Sequence, residues 1–139
     1  MARLVNTIKV SVPSEDAWAI VGDLDGVHRW LPGVTTCRVE GTRRICNDGQ
    51  IEEEISDYSA QHRSYRYRHL KVPLPVRSST GEFSVRPDDG GSLVVWEAEV
   101  EALDKTTEDA FVQMLDGLYK QVCESLRQLI ESVGSEAGR

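Results

Sequence analysis

A long amphipathic helix closes this chain, and it needs a sheet against which to bury one face. Beyond Thr106, apolar residues recur every three or four positions. This spacing is typical of one stripe along a helix of period 3.6. The stripe consists of Phe111, Leu115, Leu118, Val122, Leu126, Leu129 and Val133. Most of the preceding chain alternates like short strands, so the predicted partner of the stripe is a sheet.

The segments before this helix predict a strand, two short helices and then about six consecutive antiparallel strands. The first strand covers Leu4–Val12, and the later strands lie between Val34 and Ala102. Two prolines exclude Val72–Val76 from any central strand. The predicted class is α+β, with one curved antiparallel sheet of about seven strands wrapped around the C-terminal helix. We expect a single domain over residues 1–133 and a frayed tail over residues 134–139.

Charge and hydropathy exclude several classes of partner. The formal net charge of −7 over 139 residues argues against a nucleic acid or an anionic membrane surface. The arginines of Arg43–Arg44 and Arg66–Arg68 are interleaved with carboxylates along the chain. We therefore interpret these arginines as part of a solvated face. No run approaches the length of a membrane span, and the N-terminal segment has no signal-peptide core. We therefore predict a cytoplasmic protein, either a monomer or a homodimer.

The cysteines and histidines do not form a metal-binding pattern. Cys37, Cys46 and Cys123 are an odd number at wide spacing, without a CxxC pair. We expect them to be free thiols in a reducing compartment. The three histidines are equally scattered, so we predict no metal. Glycine-rich phosphate loops are absent from the sequence, which predicts no nucleotide cofactor.

Several local phrases, together with this order of elements, resemble the SRPBCC superfamily. They are SVPSEDAWAIVGDLDGVHRWLPGV at residues 11–34, SYRYRHLKVPLPVRSSTGEFSVRPDDGGSLVVWEAEV at residues 64–100, and the closing helix. The superfamily includes START lipid-binding domains, the birch-pollen-allergen group, polyketide cyclases and the plant abscisic-acid receptors. The phrases are most similar to the polyketide cyclase/dehydrase-like branch. The resemblance covers residues 3–133 and implies a helix-grip fold with a cavity between sheet and helix.

The more distant similarity to the plant abscisic-acid receptors helps to place the cavity. Val72–Val76 corresponds to the loop that covers the ligand in those receptors. The turn at residues 47–49 corresponds to their gate but lacks its Gly-Leu-Pro motif. Their ligand-anchoring lysine corresponds to Thr35, which cannot form a salt bridge with a carboxylate ligand.

Two predicted strands carry the candidate catalytic residues. Alternation places Tyr65, Tyr67 and His69 on one face of their strand. If that face is inward, Tyr67 and His69 could bind a ligand or transfer protons near neutral pH; otherwise the rings only pack. On the preceding strand, Glu53 shares a face with two isoleucines and is a candidate general acid or base. The alternative for Glu53 is a solvated carboxylate at the end of the sheet.

The strand at Ser92–Ala102 gives two conflicting orientations. Alternation turns Trp96 inward and Glu97 outward, whereas alignment to the hormone receptors turns Glu97 inward. We favour alternation, because burial of several glutamates without basic partners is costly. The other candidate ligand-binding residues are expected from the helix stripe, the short second helix and the proline-containing loop. The full predicted set of wall residues is Trp30, Leu74, Trp96, Phe111, Leu115, Leu118 and Val122.

These observations leave two main hypotheses about function. The first is a protein that binds a hydrophobic or aromatic small molecule, which could be a cofactor-independent polyketide cyclase/dehydrase-like enzyme. The second is a non-catalytic carrier or sensor of a lipid, isoprenoid or quinone. A third possibility keeps the fold but fills the cavity with side chains, leaving an interaction module.

Overall fold

A computed structural model describes the backbone of residues 1–137 and the side chains of residues 1–134, and it confirms the predicted α+β class. The strands are β1 (Ala2–Val10), β2 (Cys37–Glu40), β3 (Arg43–Cys46), β4 (Ile51–Ser59), β5 (Ser64–Lys71), β6 (Val76–Asp88) and β7 (Gly91–Ala102). The helices are α1 (Ser14–Val21) and α2 (Glu108–Ala137), and 3-10 turns cover Leu24–Arg29, Asn47–Gly49 and Lys105–Thr107.

All seven strands form one antiparallel sheet. Their order is β1-β7-β6-β5-β4-β3-β2, so the first strand of the chain pairs with the last. The inner face of the sheet carries every second residue of β1, β6 and β7, and these side chains form one hydrophobic core with the buried residues of α1 and α2. This is the helix-grip arrangement that the sequence predicts. The interruption between β5 and β6 falls at the prolines, also as predicted.

The buried face of α2 differs from the predicted stripe at its centre and again near its end, where Ile130 is buried and Leu129 only partly so. Tyr119 is buried, whereas Leu118 is 38% exposed. Adjacent helical residues point about 100° apart, so only one of the two can face the sheet. The ring of Tyr119 stacks on Trp96 with 4.1 Å between centroids, and that contact places the tyrosine inward. The buried residues along the helix are Phe111, Leu115, Tyr119, Val122, Leu126 and Ile130.

The end of α2 lies further along the chain than predicted. The helix continues through Ala137, so residues 134–137 of the expected tail are helical, and residues 138–139 lie outside the described part. Among residues 1–137, no helix combines the length and the apolar character needed to cross a membrane.

The prediction of three free thiols is wrong for two of the cysteines. Cys37 on β2 and Cys46 on β3 are directly opposite one another and form a disulfide, with their Cα atoms 4.1 Å apart. The pairing depends on a strand register that residue spacing alone did not reveal. Cys123 on α2 is free, and its burial raises the pKa of its thiol to about 11. Its thiolate fraction at neutral pH is therefore small.

Thiol counting tests this pairing directly. Protein denatured without a reductant should react with a thiol reagent at Cys123 alone, and reduction should expose two more sites. Cys123→Ala is the control and should show no reactive thiol before reduction. Three reactive thiols in unreduced wild-type protein would contradict the disulfide.

Candidate functional site

A cavity of about 330 Å³ lies between the concave face of the sheet and α2. Trp30 and the segment that follows it form one side, and Val72, Pro73 and Leu74 form another. The floor consists of Tyr119 and Val122 from α2 and of inward side chains from β5, β6 and β7, among them Phe83 and Trp96, whereas Leu118 of α2 lies at the rim. Apolar and aromatic groups therefore supply most of the walls. Polar groups gather where β3, β4 and β5 meet.

A buried ion pair lies at this polar end. Arg44 on β3 and Glu53 on β4 are directly opposite in the sheet, and their side chains are 3% and 7% exposed. Arg44 Nε donates to Glu53 Oε1 at 2.8 Å, and Arg44 Nη2 donates to Glu53 Oε2 at 3.1 Å. A two-pronged bond of this kind matches the planar guanidinium to the carboxylate. The expectation that Arg44 belongs to a solvated face is therefore wrong, while Arg43 beside it is exposed.

The other terminal nitrogen of Arg44 is also occupied. Arg44 Nη1 lies 3.4 Å from the hydroxyl of Tyr65 and 3.4 Å from the carbonyl oxygen of Leu24. Burial alone would lower the pKa of Arg44, but Tyr65 and Glu53 raise it above its ordinary value. Arg44 is thus a permanent cation whose charge is balanced by Glu53.

His69 on β5 lies beside this pair. Its Nδ1 is 2.8 Å from Ser79 Oγ on β6, and its Nε2 is 3.5 Å from Glu53 Oε2. Burial lowers the pKa of His69 below 6.5; Arg44 acts in the same direction, and Glu53 opposes both. The imidazole is therefore neutral at neutral pH and borders the cavity.

A hydrogen-bonded pair of aromatic residues forms the adjacent wall. Trp96 Nε1 on β7 donates to the hydroxyl of Tyr67 on β5 at 3.0 Å. Burial raises the pKa of Tyr67 well above 10, so its phenol stays protonated. Tyr67 pairs with Gly81 on β6, where any Cβ would collide with the tyrosine ring. The absence of a side chain at residue 81 lets the ring lie across the sheet.

The structure brings most of the predicted site residues to one cavity. Those that line it are Glu53, Tyr67, His69, Trp30, Leu74, Trp96, Leu118 and Val122. Phe111 and Leu115 are buried in the core and are not among the lining residues. Glu97 lies on the outer face, 3.3 Å from Arg3, as strand alternation predicts. No group of three His, Cys, Asp or Glu side chains in residues 1–134 is placed to hold a metal ion.

Sequence reasoning missed several residues of the site, among them Phe83 in the wall and three polar residues. Arg44 and Tyr119 line the cavity, and Ser79 lies behind His69 with 2% exposure. Arg44 shares the inward face of the sheet with Glu53. The opportunity for an arginine to pair with that glutamate was the signal that could have identified Arg44. Tyr119 lies four residues after Leu115 and could have replaced Leu118 in the stripe. Nothing in the local sequence singles out Ser79.

Comparison with known proteins assigns a family to this arrangement. The family described as "Polyketide cyclase / dehydrase and lipid transport" matches residues 1–131. The chain belongs to this family. No curated protein matches the sequence significantly. Family membership confirms the SRPBCC resemblance and supports a fold that binds ligands.

Solved structures confirm the helix-grip fold of this family member. The protein XoxI from Bacillus cereus superposes with a TM-score of 0.81 at 23% identity, covering 94% of this chain and 96% of the other. Major latex-like protein 151 from Panax ginseng gives 0.75 at 18% identity, with 96% and 97% covered. The di-domain ARO/CYC BexL of the BE-7585A biosynthetic pathway gives 0.78 at 15% identity, covering 92% of this chain and 46% of the other.

Substitution of Gly81 tests the packing that orients Tyr67. Gly81→Ala should destabilise the protein by about 1–3 kcal/mol, because the new methyl group displaces the tyrosine ring. Gly117→Ala is a matched control on α2, where a Cβ meets nothing within 4 Å. It should raise stability by roughly 0.5–1 kcal/mol through helix propensity. Chemical denaturation measures both, and equal responses would contradict the described contact.

The pKa of His69 tests the electrostatics of the polar end. An NMR titration should give a value below 6.5 in the wild type. Glu53→Gln should lower it further, because the carboxylate stabilises the imidazolium and its loss also leaves Arg44 unbalanced. Glu54→Gln removes an outer-face charge paired with Arg43 and should cause little change. A rise in the pKa of His69 in Glu53→Gln would contradict the geometry.

Proposed function

We propose that this family member binds a hydrophobic or aromatic small molecule in the cavity and promotes its cyclisation or dehydration without a cofactor. The observation that supports this most strongly is the position of His69 at the polar end of an otherwise apolar cavity. An apolar enclosure favours a folded conformer of a flexible substrate and brings its reacting groups together. A neutral imidazole in the same cavity supplies proton transfer near neutral pH.

His69 is the proposed general base. With its proton on Nδ1, the ring donates to Ser79 Oγ at 2.8 Å, which leaves Nε2 to accept a proton from the ligand. The imidazolium so formed lies 3.5 Å from the Glu53 carboxylate, which stabilises its charge. Because the pKa of His69 is lowered, the base form persists below pH 6.5. Activity should therefore fall only as the pH drops through the lowered pKa of His69.

Glu53 takes a positioning role in this proposal instead of acting as the base itself. Both of its oxygens accept hydrogen bonds from Arg44. A carboxylate held in this way is poorly suited to accept a proton from a ligand. It is well placed to orient His69 and to stabilise its protonated form.

Tyr67 is the proposed hydrogen-bond donor to the ligand. Its hydroxyl accepts from Trp96 Nε1 and donates no hydrogen bond to any described side chain. Burial raises the pKa of Tyr67, so the O–H is retained at neutral pH. It could donate to a ligand carbonyl oxygen and stabilise the negative charge that develops there during proton abstraction.

A non-catalytic carrier or sensor of a lipid, isoprenoid or quinone is the second candidate. The mutual neutralisation of Arg44 and Glu53 favours it, because the cavity then offers mainly apolar surface. The family description also includes lipid transport. A carrier needs affinity for its ligand but no proton transfer, so the two candidates differ in what His69 must do.

A dye-displacement screen followed by mass spectrometry separates the two. Aromatic β-hydroxy and β-keto acyl compounds that displace bound N-phenylnaphthylamine are incubated with the protein. Dehydration would reduce the ligand mass by one water, and cyclisation would change its absorbance. His69→Asn should keep displacement and lose turnover. Displacement without turnover of any such compound by wild-type protein would favour the carrier.

Leu118→Trp tests whether the cavity is the binding site. Leu118 lies at the rim and is 38% exposed, so a larger side chain can enter the opening at little cost to stability. We expect at least about a tenfold loss of affinity for N-phenylnaphthylamine, from steric exclusion. Met114→Trp, one turn earlier and 52% exposed, is outside the lining and should bind normally. Equal affinity of the two variants for the dye would mean that the dye binds outside the cavity.

A further inference from the structure

We infer that the cavity selects uncharged ligands, and that Glu53 sets this specificity by neutralising Arg44. This inference rests on the proposed binding function and names the ligand class more closely. The expected ligands are neutral ketones, phenols, alcohols or quinones. Carboxylates, sulfonates and phosphates should be excluded, although an arginine borders the cavity.

The charges that line the cavity balance. Among the described lining residues, Arg44 and Glu53 are the only ones of the Lys, Arg, Asp and Glu types. They form one bidentate pair, so their charges cancel within the wall. His69 is the remaining titratable group of the polar end, and it is neutral above pH 6.5 because its pKa is lowered. The cavity therefore presents no net charge to a ligand.

An anionic ligand would meet a guanidinium whose charge Glu53 already balances and most of whose N–H groups are already bonded. Arg44 Nε and Nη2 are bonded to Glu53, and Nη1 lies beside Tyr65 and Leu24. Binding an anion would require either breaking this pair or placing two negative charges together. Both are costly in a site shielded from water. A neutral ligand oxygen costs much less free energy to desolvate. It can accept a hydrogen bond from Tyr67 or interact with His69.

Removal of the Glu53 charge should reverse the preference. In Glu53→Gln, Arg44 keeps its position opposite residue 53 but loses its counter-charge. An unpaired guanidinium in an apolar cavity is a strong site for an anion. Glu53 is therefore a specificity-determining residue whose negative charge excludes ligands of the same sign.

Two dyes with one skeleton provide the probes. N-phenylnaphthylamine is neutral, and anilinonaphthalene sulfonate adds a single anionic group to the same rings. Affinities are measured by fluorescence at about pH 8, where His69 is neutral. For each dye, only the bound fraction that the other dye displaces and that is lost in the Leu118→Trp variant counts as cavity binding. Dye bound at the outer surface is left out in this way.

The wild type should bind the neutral dye at least about tenfold more tightly than the sulfonate. Glu53→Gln should shift that ratio toward the sulfonate by at least about tenfold. Glu54→Gln is the matched control, since it changes the net charge equally but lies on the outer face beside Arg43. It should keep the wild-type ratio.

A second variant keeps the test decisive if Glu53→Gln does not fold. Arg44→Gln combined with Glu53→Gln leaves the cavity uncharged and should retain the preference for the neutral dye. Equal or tighter cavity binding of the sulfonate by wild-type protein would overturn the inference on its own. Failure of the neutral dye to bind the cavity would instead overturn the proposed binding function. The same ratio in folded Glu53→Gln and Glu54→Gln would show that Glu53 does not set specificity.

Discussion

The buried pair of Arg44 and Glu53 is the interaction on which the site depends. It joins β3 to β4 at the inner face and places two charges next to an apolar cavity. Removing one partner of such a pair typically costs about 3–5 kcal/mol, because the other charge remains buried and unpaired. The pair also sets the field at His69, where Arg44 disfavours the protonated ring and Glu53 favours it. This one ion pair therefore affects the stability of the fold, the charge balance of the cavity and the proton affinity of His69.

Aromatic packing gives the rest of the cavity its shape. Phe83, Trp96 and Tyr119 stack in sequence from β6 through β7 to α2, with centroid separations of 5.0 and 4.1 Å. The stack holds the centre of the helix against the sheet. Because Tyr119 occupies the inward position, Leu118 is left at the rim, where it borders the opening. The space that remains is lined by rigid rings on one side and by the proline-containing loop on the other.

Strand alternation predicted the fold and part of the site because it depends on local geometry alone. It put Tyr67 and His69 on one face of their strand and Glu53 on a face shared with two isoleucines, and the structure turns both of these faces toward the cavity. Arg44 was missed because two adjacent arginines look like a solvated pair, and its partner lies on the next strand. The disulfide depends in the same way on the register between β2 and β3. The burial of Arg44 and the disulfide therefore both depend on pairing between neighbouring strands, which the local sequence pattern does not show.

A crystal structure of the protein with N-phenylnaphthylamine tests the central claim most directly. The account predicts dye density inside the cavity, between the wall formed by Trp96 and Tyr119 and the loop at Val72–Leu74. Arg44 should remain bonded to both oxygens of Glu53. A dye bound only at the outer surface, or a cavity filled by side chains with Arg44 turned toward solvent, would contradict it.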